Sequence, residues 1–314
     1  TNGGGLNRFN ANDESFMAFQ HDESDLNSLS DNVIQAISED NLGNLWVATA
    51  HGLNKVKFKA KSKINNKLAN EAIITRYYQD KNNVNSLNDN NITALHFDQQ
   101  NRLWLGGKNG SLSYLNLDQS IKQNEHQNSS TGARTNTNTN TKASQIKFTL
   151  VPEHEDQKIN SQMAISSIIA GATNSLWIGT EQGLYLYHNA SNTWSTEHAA
   201  LEILKDKSIS ELLMQDNILW ITSNNGGYRY HLDSKILEHF NHDENNAKSL
   251  SHNQLTSITT DNNGGIWLGT YVKGINRFDT NTAQFNHTYA KKNQRNHLSS
   301  NIITSFLAVS YTHL

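Results

Sequence analysis

No cysteine occurs among the 314 residues, so no disulfide can staple this fold. The compartment stays open on that count, because a chain without thiols suits an oxidising space and the cytosol alike. A single proline stands against 18 glycines, and 35% of the residues are hydrophobic. With asparagine abundant, that balance describes a turn-rich β chain able to bury a large core, and it argues against a helical bundle. No run of eighteen apolar residues exists, so nothing here reads as a membrane-spanning helix. Nor is positive charge in excess. The formal net charge is -3, which offers no field to hold a phosphate backbone, so nucleic acid is not an expected partner. The lysines between Lys55 and Lys67 then read as a solvated loop.

What the chain has instead is one phrase written five times: Leu45-Trp46-Val47-Ala48-Thr49, Leu103-Trp104-Leu105-Gly106-Gly107, Leu176-Trp177-Ile178-Gly179-Thr180, Leu219-Trp220-Ile221-Thr222-Ser223 and Ile266-Trp267-Leu268-Gly269-Thr270. A period averaging about 55 residues marks repeated supersecondary modules. Glycine follows the tryptophan by six residues in four copies (Gly52, Gly110, Gly183, Gly226) and by seven in the fifth (Gly274). Seventeen residues before the tryptophan stands Leu29, Leu87 or Leu250, each preceded by serine and followed three positions on by Asn32, Asn90 or Asn253. His297-Leu298-Ser299-Ser300-Asn301 begins a sixth copy.

Alternation and punctuation divide each unit into four short strands, in the first full unit Val33 to Glu39, Leu45 to Ala50, Leu53 to Phe58 and Ile73 to Gln79. Asp40-Asn41-Leu42-Gly43, Asp98-Gln99-Gln100-Asn101 and Asp261-Asn262-Asn263-Gly264 suit type I turns closed by a left-handed residue. Four antiparallel strands joined by turns this tight make one propeller blade. The expected fold is therefore all-β, a β-propeller of four-stranded antiparallel blades, five complete, with partial blades at both ends. The leading fragment would supply strands Gly5 to Phe9 and Phe16 to His21, and Ile302 to Phe306 the first strand of a further blade. The nearly continuous apolar strands around Trp46, Trp104, Trp177, Trp220 and Trp267 are read as packing between blades, not as stacking platforms for a ligand.

Residues 1–308 form one expected propeller region, interrupted by Lys59 to Glu71 and by the low-complexity polar insert 119–145, for which disorder is expected. Both ends read as cut. Thr1-Asn2-Gly3-Gly4 aligns with Thr49 to Gly52, inside a repeat, and Val309 to Leu314 looks like one reading frame of a sequencing adapter and is given no role.

Leu176 to Leu184, with the Asn-Ser-Leu-x-x-Asn motifs upstream and Gly274-Ile275-Asn276-Arg277-Phe278-Asp279, resembles the two-component regulator propeller repeat over residues 1 to about 308. The copy at Trp220 departs most, with a shortened turn at Asp216-Asn217 and Ser223 for threonine, which implies weaker blade geometry there. The resemblance implies a ligand-binding sensor on the periplasmic side of the inner membrane, part of a membrane-anchored homodimeric receptor. Its output would be a histidine kinase or, alternatively, a diguanylate cyclase, neither of which is in this chain.

No catalytic set is found. Asp40, Asp98 and Asp261 stand six residues before tryptophan, whereas the sialidase-type Asp box places its acid five before an aromatic. There is no Gly-x-Ser-x-Gly elbow, and no carboxylate pair is singled out, which disfavours the alternative of a secreted propeller enzyme acting on carbohydrate. No Trp-Asp dipeptide supports a scaffold propeller. Fourteen histidines include no His-Glu-x-x-His, and Glu238-His239-Phe240-Asn241-His242 has no obvious third ligand and reads as polar residues at the surface, so neither metal nor cofactor is expected. The turn after the second strand and the loop after the fourth emerge on the same rim. Variation in that turn nominates His51, Lys108, Asn109, Glu181, Gln182, Asn224, Asn225, Tyr271 and Lys273 for an unknown small molecule or oligosaccharide. The in-register Asn32, Asn90, Asn253 and Asn301 are read as structural, bonding the backbone of the crossover.

Overall fold

The computed structural model of the protein describes residues 2–10, 13–58, 72–117, 146–152, 163–195, 199–291 and 297–306. Both insertions and the stretch 309–314 lie outside the described residues. The architecture is all-β: five four-stranded antiparallel sheets in which strands pair in chain order, preceded by a two-stranded sheet. The two-stranded piece is Leu6–Asn10 with Ser15–Phe19. The first full blade comprises Ile34–Glu39, Leu45–Thr49, Gly52–Phe58 and Ala72–Tyr77, and the second Ile92–Phe97, Arg102–Gly107, Leu112–Asn116 and Phe148–Leu150. The third runs Ile165–Ala170, Ser175–Thr180, Gly183–His188 and Thr193–Ser195; the fourth Ile209–Gln215, Ile218–Ser223, Gly226–His231 and Leu237–Phe240. The fifth is Leu255–Thr260, Ile266–Thr270, Ile275–Asp279 and Gln284–Thr288. Residues 302–306, expected as a further first strand, carry no strand; Ile303 instead donates its N–H to Thr270 O at 3.0 Å and accepts from Thr256 Oγ1.

Two compact units divide the chain. Thr1–Glu153 with Lys158–Ile165 forms one, and His154–Gln157 with Ser166–Leu314 the other. In the first unit Trp46, 0% exposed, packs on Leu87, Ile92, Leu103 and Leu105 of the next blade. In the second, Trp177 packs on Leu212, Leu219 and Tyr228, and Trp220 on Leu255, Ile266 and Phe278. Trp104 is buried and Trp267 half-buried. The first, third and fourth blades thus use their tryptophan to fill the gap to the next, where a large aromatic contributes most area.

The glycine after the tryptophan strand's centre has a packing cause. A Cβ on Gly179 would lie 2.7 Å from Ile209 Cγ2, and one on Gly269 would lie 2.6 Å from Ile303 Cγ2. Only glycine lets the following isoleucine approach so closely. Beside these contacts, hydroxyls tie neighbouring inner strands: Ser166 Oγ donates to Ile209 O at 2.6 Å, Ser210 Oγ to Leu255 O at 2.7 Å and Thr256 Oγ1 to Ile303 O at 2.5 Å.

The Asp turns form as the sequence implies, with Gly43, Asn101 and Gly264 at positive φ. They also do something the spacing did not disclose. The Oδ2 of each accepts from the indole N–H six residues on: Trp46 at 3.1 Å on Asp40, Trp104 at 2.7 Å on Asp98 and Trp267 at 2.7 Å on Asp261. A cation covers each ring, Lys55 at 5.2 Å and Arg277 at 5.5 Å from the third strand and Arg102 at 5.1 Å from the second. The Trp267 indole holds the Asp261 carboxyl below the usual carboxylate range. The expectation of weaker geometry in the fourth copy is corrected. Asp216 and Asn217 both take positive φ, at 48° and 62°, between paired Gln215 and Ile218. Such a two-residue turn matches the strand twist, so the sheet there is complete.

Candidate functional site

The loops that carry the chain from one blade to the next are built from two successive turns. In the loop entering the first full blade, Asp25 N donates to Asp22 O and Ser28 N to Asp25 O, while the carboxylates of Asp22 and Asp25 accept from Ser24 N and Asn27 N. The same bonds recur at Asp80, Asn83 and Ser86, and at Asp243, Asn246 and Ser249. Short polar side chains that bond their own backbone two residues on favour this conformation. Leu29, Leu87 and Leu250, next in the chain, are buried.

The repeated asparagine closes each loop. Asn32, Asn90, Asn253 and Asn301 accept through Oδ1 from the backbone N–H of His21, Gln79, His242 and Ala290, at 2.6 to 2.7 Å. Through their carbonyls they accept from Gly5, Gly52, Gly226 and Gly274 at 2.6 to 3.0 Å. Each therefore ties the hairpin turn of one blade to the exit of its outer strand.

The nine nominated rim residues occupy the turns between second and third strands. All are exposed except half-buried Asn225. His51, Lys108 and Asn109 belong to the first unit, where His51 lies 5.8 Å from the Tyr78 ring and Asn109 N bonds Asp89 Oδ2 at 2.9 Å. Glu181, Gln182, Asn224, Asn225, Tyr271 and Lys273 belong to the second. Asn225 is engaged locally: its Nδ2 donates to Tyr228 OH at 3.3 Å and its carbonyl accepts from His239 Nε2 at 2.8 Å, with the His239 ring stacked on Tyr228 at 4.1 Å.

A pocket of about 430 Å³ opens on this rim in the second unit. Its walls include His242, Asp243 and Glu244 from the loop entering the fifth blade, Lys273 from the hairpin turn, and His287 and Tyr289 from the outer strand and its exit. Of the nine nominated residues, Lys273 alone lines this pocket. The sequence gives no signal for the other five, and His242, which reads from sequence as a solvated side chain, lies in the wall. His242 Nδ1 bonds Leu250 O at 2.6 Å and His287 Nε2 bonds Ser249 O at 2.7 Å, so both imidazoles are oriented by the loop backbone. Elsewhere in the second unit Glu211 is a half-buried acid; desolvation pushes its carboxyl up, and Ile258 N donates to it at 2.8 Å, which gives it a structural task between inner strands. Among the described residues no three histidine, aspartate or glutamate side chains gather as metal ligands.

Residues 28–51, 86–109 and 249–272 match the family model of the two component regulator propeller, so the chain carries this family's repeat. No curated protein matches it. Among solved structures, PorZ of Porphyromonas gingivalis, described as a surface component of the type-IX secretion system, is 17% identical over 86% of this chain and 35% of its own, with a TM-score of 0.54. The extracellular domain attributed to a hybrid two component system of B. thetaiotaomicron is 18% identical over 91% of this chain and 49% of its own, with a TM-score of 0.32. A second such domain from that organism is 18% identical over 91% and 55%, with a TM-score of 0.27. The chain thus spans between about a third and about a half of these three solved chains. The first likeness supports the propeller fold, and the family match shows the two component regulator propeller repeat at those three segments. No helix among the described residues is long and apolar enough to cross a membrane.

Proposed function

We propose that this chain is the ligand-binding propeller from the extracytoplasmic part of a bacterial signal-transduction receptor, and that it passes its signal to a histidine kinase output outside the chain. The observation that carries this reading is the in-register repeat matched at residues 28–51, 86–109 and 249–272, whose rim opens a pocket of about 430 Å³ in the second unit. That volume falls in the range of small-molecule sites, about 300–1,000 Å³. Function on a propeller is argued from the site, and the polar groups here suit holding a molecule rather than cleaving one.

The purified chain is therefore expected to bind a small molecule or glycan fragment without turning it over. Calorimetry with product analysis by mass spectrometry checks this. Robust hydrolysis or elimination abolished by substituting a single carboxylate would overturn the reading. The adjoining genomic sequence is expected to encode a membrane helix followed by a histidine kinase, and a chain lacking both would overturn the assigned output.

A further inference from the structure

Two of the crossover loops form an internal comparison. In the loop entering the first full blade, Asp25 N donates to Asp22 O at 3.3 Å, Ser28 N to Asp25 O at 3.1 Å, and Asp22 N to Ser28 Oγ at 2.8 Å. The loop entering the fifth blade repeats these bonds at Asp243, Asn246 and Ser249, at 3.0, 2.9 and 2.9 Å. What differs is the side chain that the blade's outer strand delivers to the loop. Arg76 places its guanidinium in the first loop, where Nε donates to Ser28 O at 2.6 Å and Nη2 donates to Asp22 O at 3.3 Å, to Asp25 O at 2.5 Å and to Ser28 Oγ. Asp22 O and Asp25 O each accept a loop N–H as well, while Ser28 O takes the guanidinium Nε, since a carbonyl oxygen can accept more than one bond.

The equivalent of Arg76 in the fifth blade is His287, two residues beyond Phe285 as Arg76 is two beyond Ile74; both of those pair with the third strand and sit beside their loops. The imidazole is shorter. It reaches Ser249 O, and no bond joins it to the carbonyls of Asp243 or Asn246. The pocket of about 430 Å³ lies against this loop. Around it the chain presents the Asp243 and Glu244 carboxylates, the half-exposed Tyr289 ring and Lys273, which has no carboxylate partner among the described residues.

We propose that this pocket binds an α-amino acid with a guanidinium side chain, free arginine or an arginine at the end of a peptide. The guanidinium takes the place that Arg76 fills in the first blade, with the acidic pair favouring its charge, and the ligand carboxylate pairs with Lys273. A polyanion would meet Asp243 and Glu244, and a polycation would meet Lys273, so the lining selects against both. This deepens the sensor reading and rests on it.

Isothermal titration of the chain with L-arginine, citrulline, agmatine and a neutral disaccharide tests the proposal. Arginine should bind. Citrulline, the same length with a neutral ureido group, should bind at least roughly tenfold more weakly, because charge-assisted hydrogen bonds are lost. Agmatine, which lacks the carboxylate, should also bind more weakly, and Lys273→Gln should erase the difference between agmatine and arginine. His287→Arg should abolish arginine binding while leaving the melting temperature unchanged or higher, since the first blade shows that the loop accepts an internal arginine. Failure of arginine to bind at millimolar concentration, equal binding of citrulline, or unchanged binding by His287→Arg would each overturn the proposal. A disaccharide displaced by His287→Arg would also overturn it while leaving the sensor reading intact, whereas turnover of any ligand would overturn the sensor reading itself.

Discussion

Replacing Asp40 by alanine isolates the contact that the repeat spacing concealed. The carboxylate is buried, and it accepts from Leu42 N at 3.0 Å, from Asn44 N and Nδ2 at 2.9 Å and from the Trp46 indole at 3.1 Å. In the alanine variant the N–H of exposed Leu42 can find water, but the indole of Trp46, a residue 0% exposed, cannot. An orphaned buried donor costs about 1–3 kcal/mol, and with the weakened turn the expected total is about 2–4 kcal/mol. Urea unfolding of Asp40→Ala, Trp46→Phe and the double variant apportions it, because phenylalanine has no N–H to orphan. Asp40→Ala should therefore cost less by about 1–2 kcal/mol in the Trp46→Phe background. The pH dependence carries a second signature. Burial pushes the Asp40 carboxyl up, but the bonds from Asn44 and Trp46 outweigh it and hold the group below its ordinary value. A depressed folded pKa gives stability that is complete above the unfolded value, about 4, and is lost as pH falls through the folded one. The gap between wild type and Asp40→Asn should thus narrow below about pH 4. A cost below about 0.5 kcal/mol, or equal costs in both backgrounds, would refute the reasoning.

Two further outcomes follow from the contacts between blades. Gly179→Ala should destabilise by about 1–3 kcal/mol through overpacking, because its Cβ would meet Ile209 Cγ2 at 2.7 Å; Ile209→Ala in the same chain should recover part of that loss, and a neutral Gly179→Ala by thermal unfolding would contradict the close approach. Asn253→Ala should lose about 1 kcal/mol with the bond from His242 N at 2.6 Å, whereas Asn253→Asp, which keeps an acceptor oxygen, should lose less; equal losses in urea titration would show that the side-chain acceptor is not what the repeat retains.

The blades were legible because their signal is local. Strand alternation, Asp turns and a glycine at fixed distance from each tryptophan are short-range features, and Leu45–Thr49 and Gly52–Phe58 fall within a residue or two of their expected bounds. The indole bond was not legible, although the six-residue spacing was in view. A spacing shows that two groups recur together, but the carboxylate's second oxygen finds the indole only once the turn folds the aspartate back over the following strand. The glycine of Trp-x-Gly-Thr was likewise hidden, since its cause is an isoleucine about 30 residues further along in each pair, Gly179 with Ile209 and Gly269 with Ile303.

The pocket shows a different kind of blindness. Variation among copies was sought in the turn after the tryptophan strand, which is right for Lys273 and silent about its neighbours. The decisive variation sits on the outer strand, where Ile74-Thr75-Arg76-Tyr77-Tyr78 aligns with Phe285-Asn286-His287-Thr288-Tyr289. In the first two full units an insertion precedes that strand, which breaks the register by which the copies are compared. Once the sheets supply the register, Arg76, Leu150 and His287 stand at one position of the first, second and fifth blades, and the histidine is the one beside the pocket. A repeat protein conserves its scaffold by repetition, so a ligand site is expected where a loop is kept bond for bond while the side chain that fills it is withdrawn. The loops at Asp22 and Asp243 satisfy both halves of that condition.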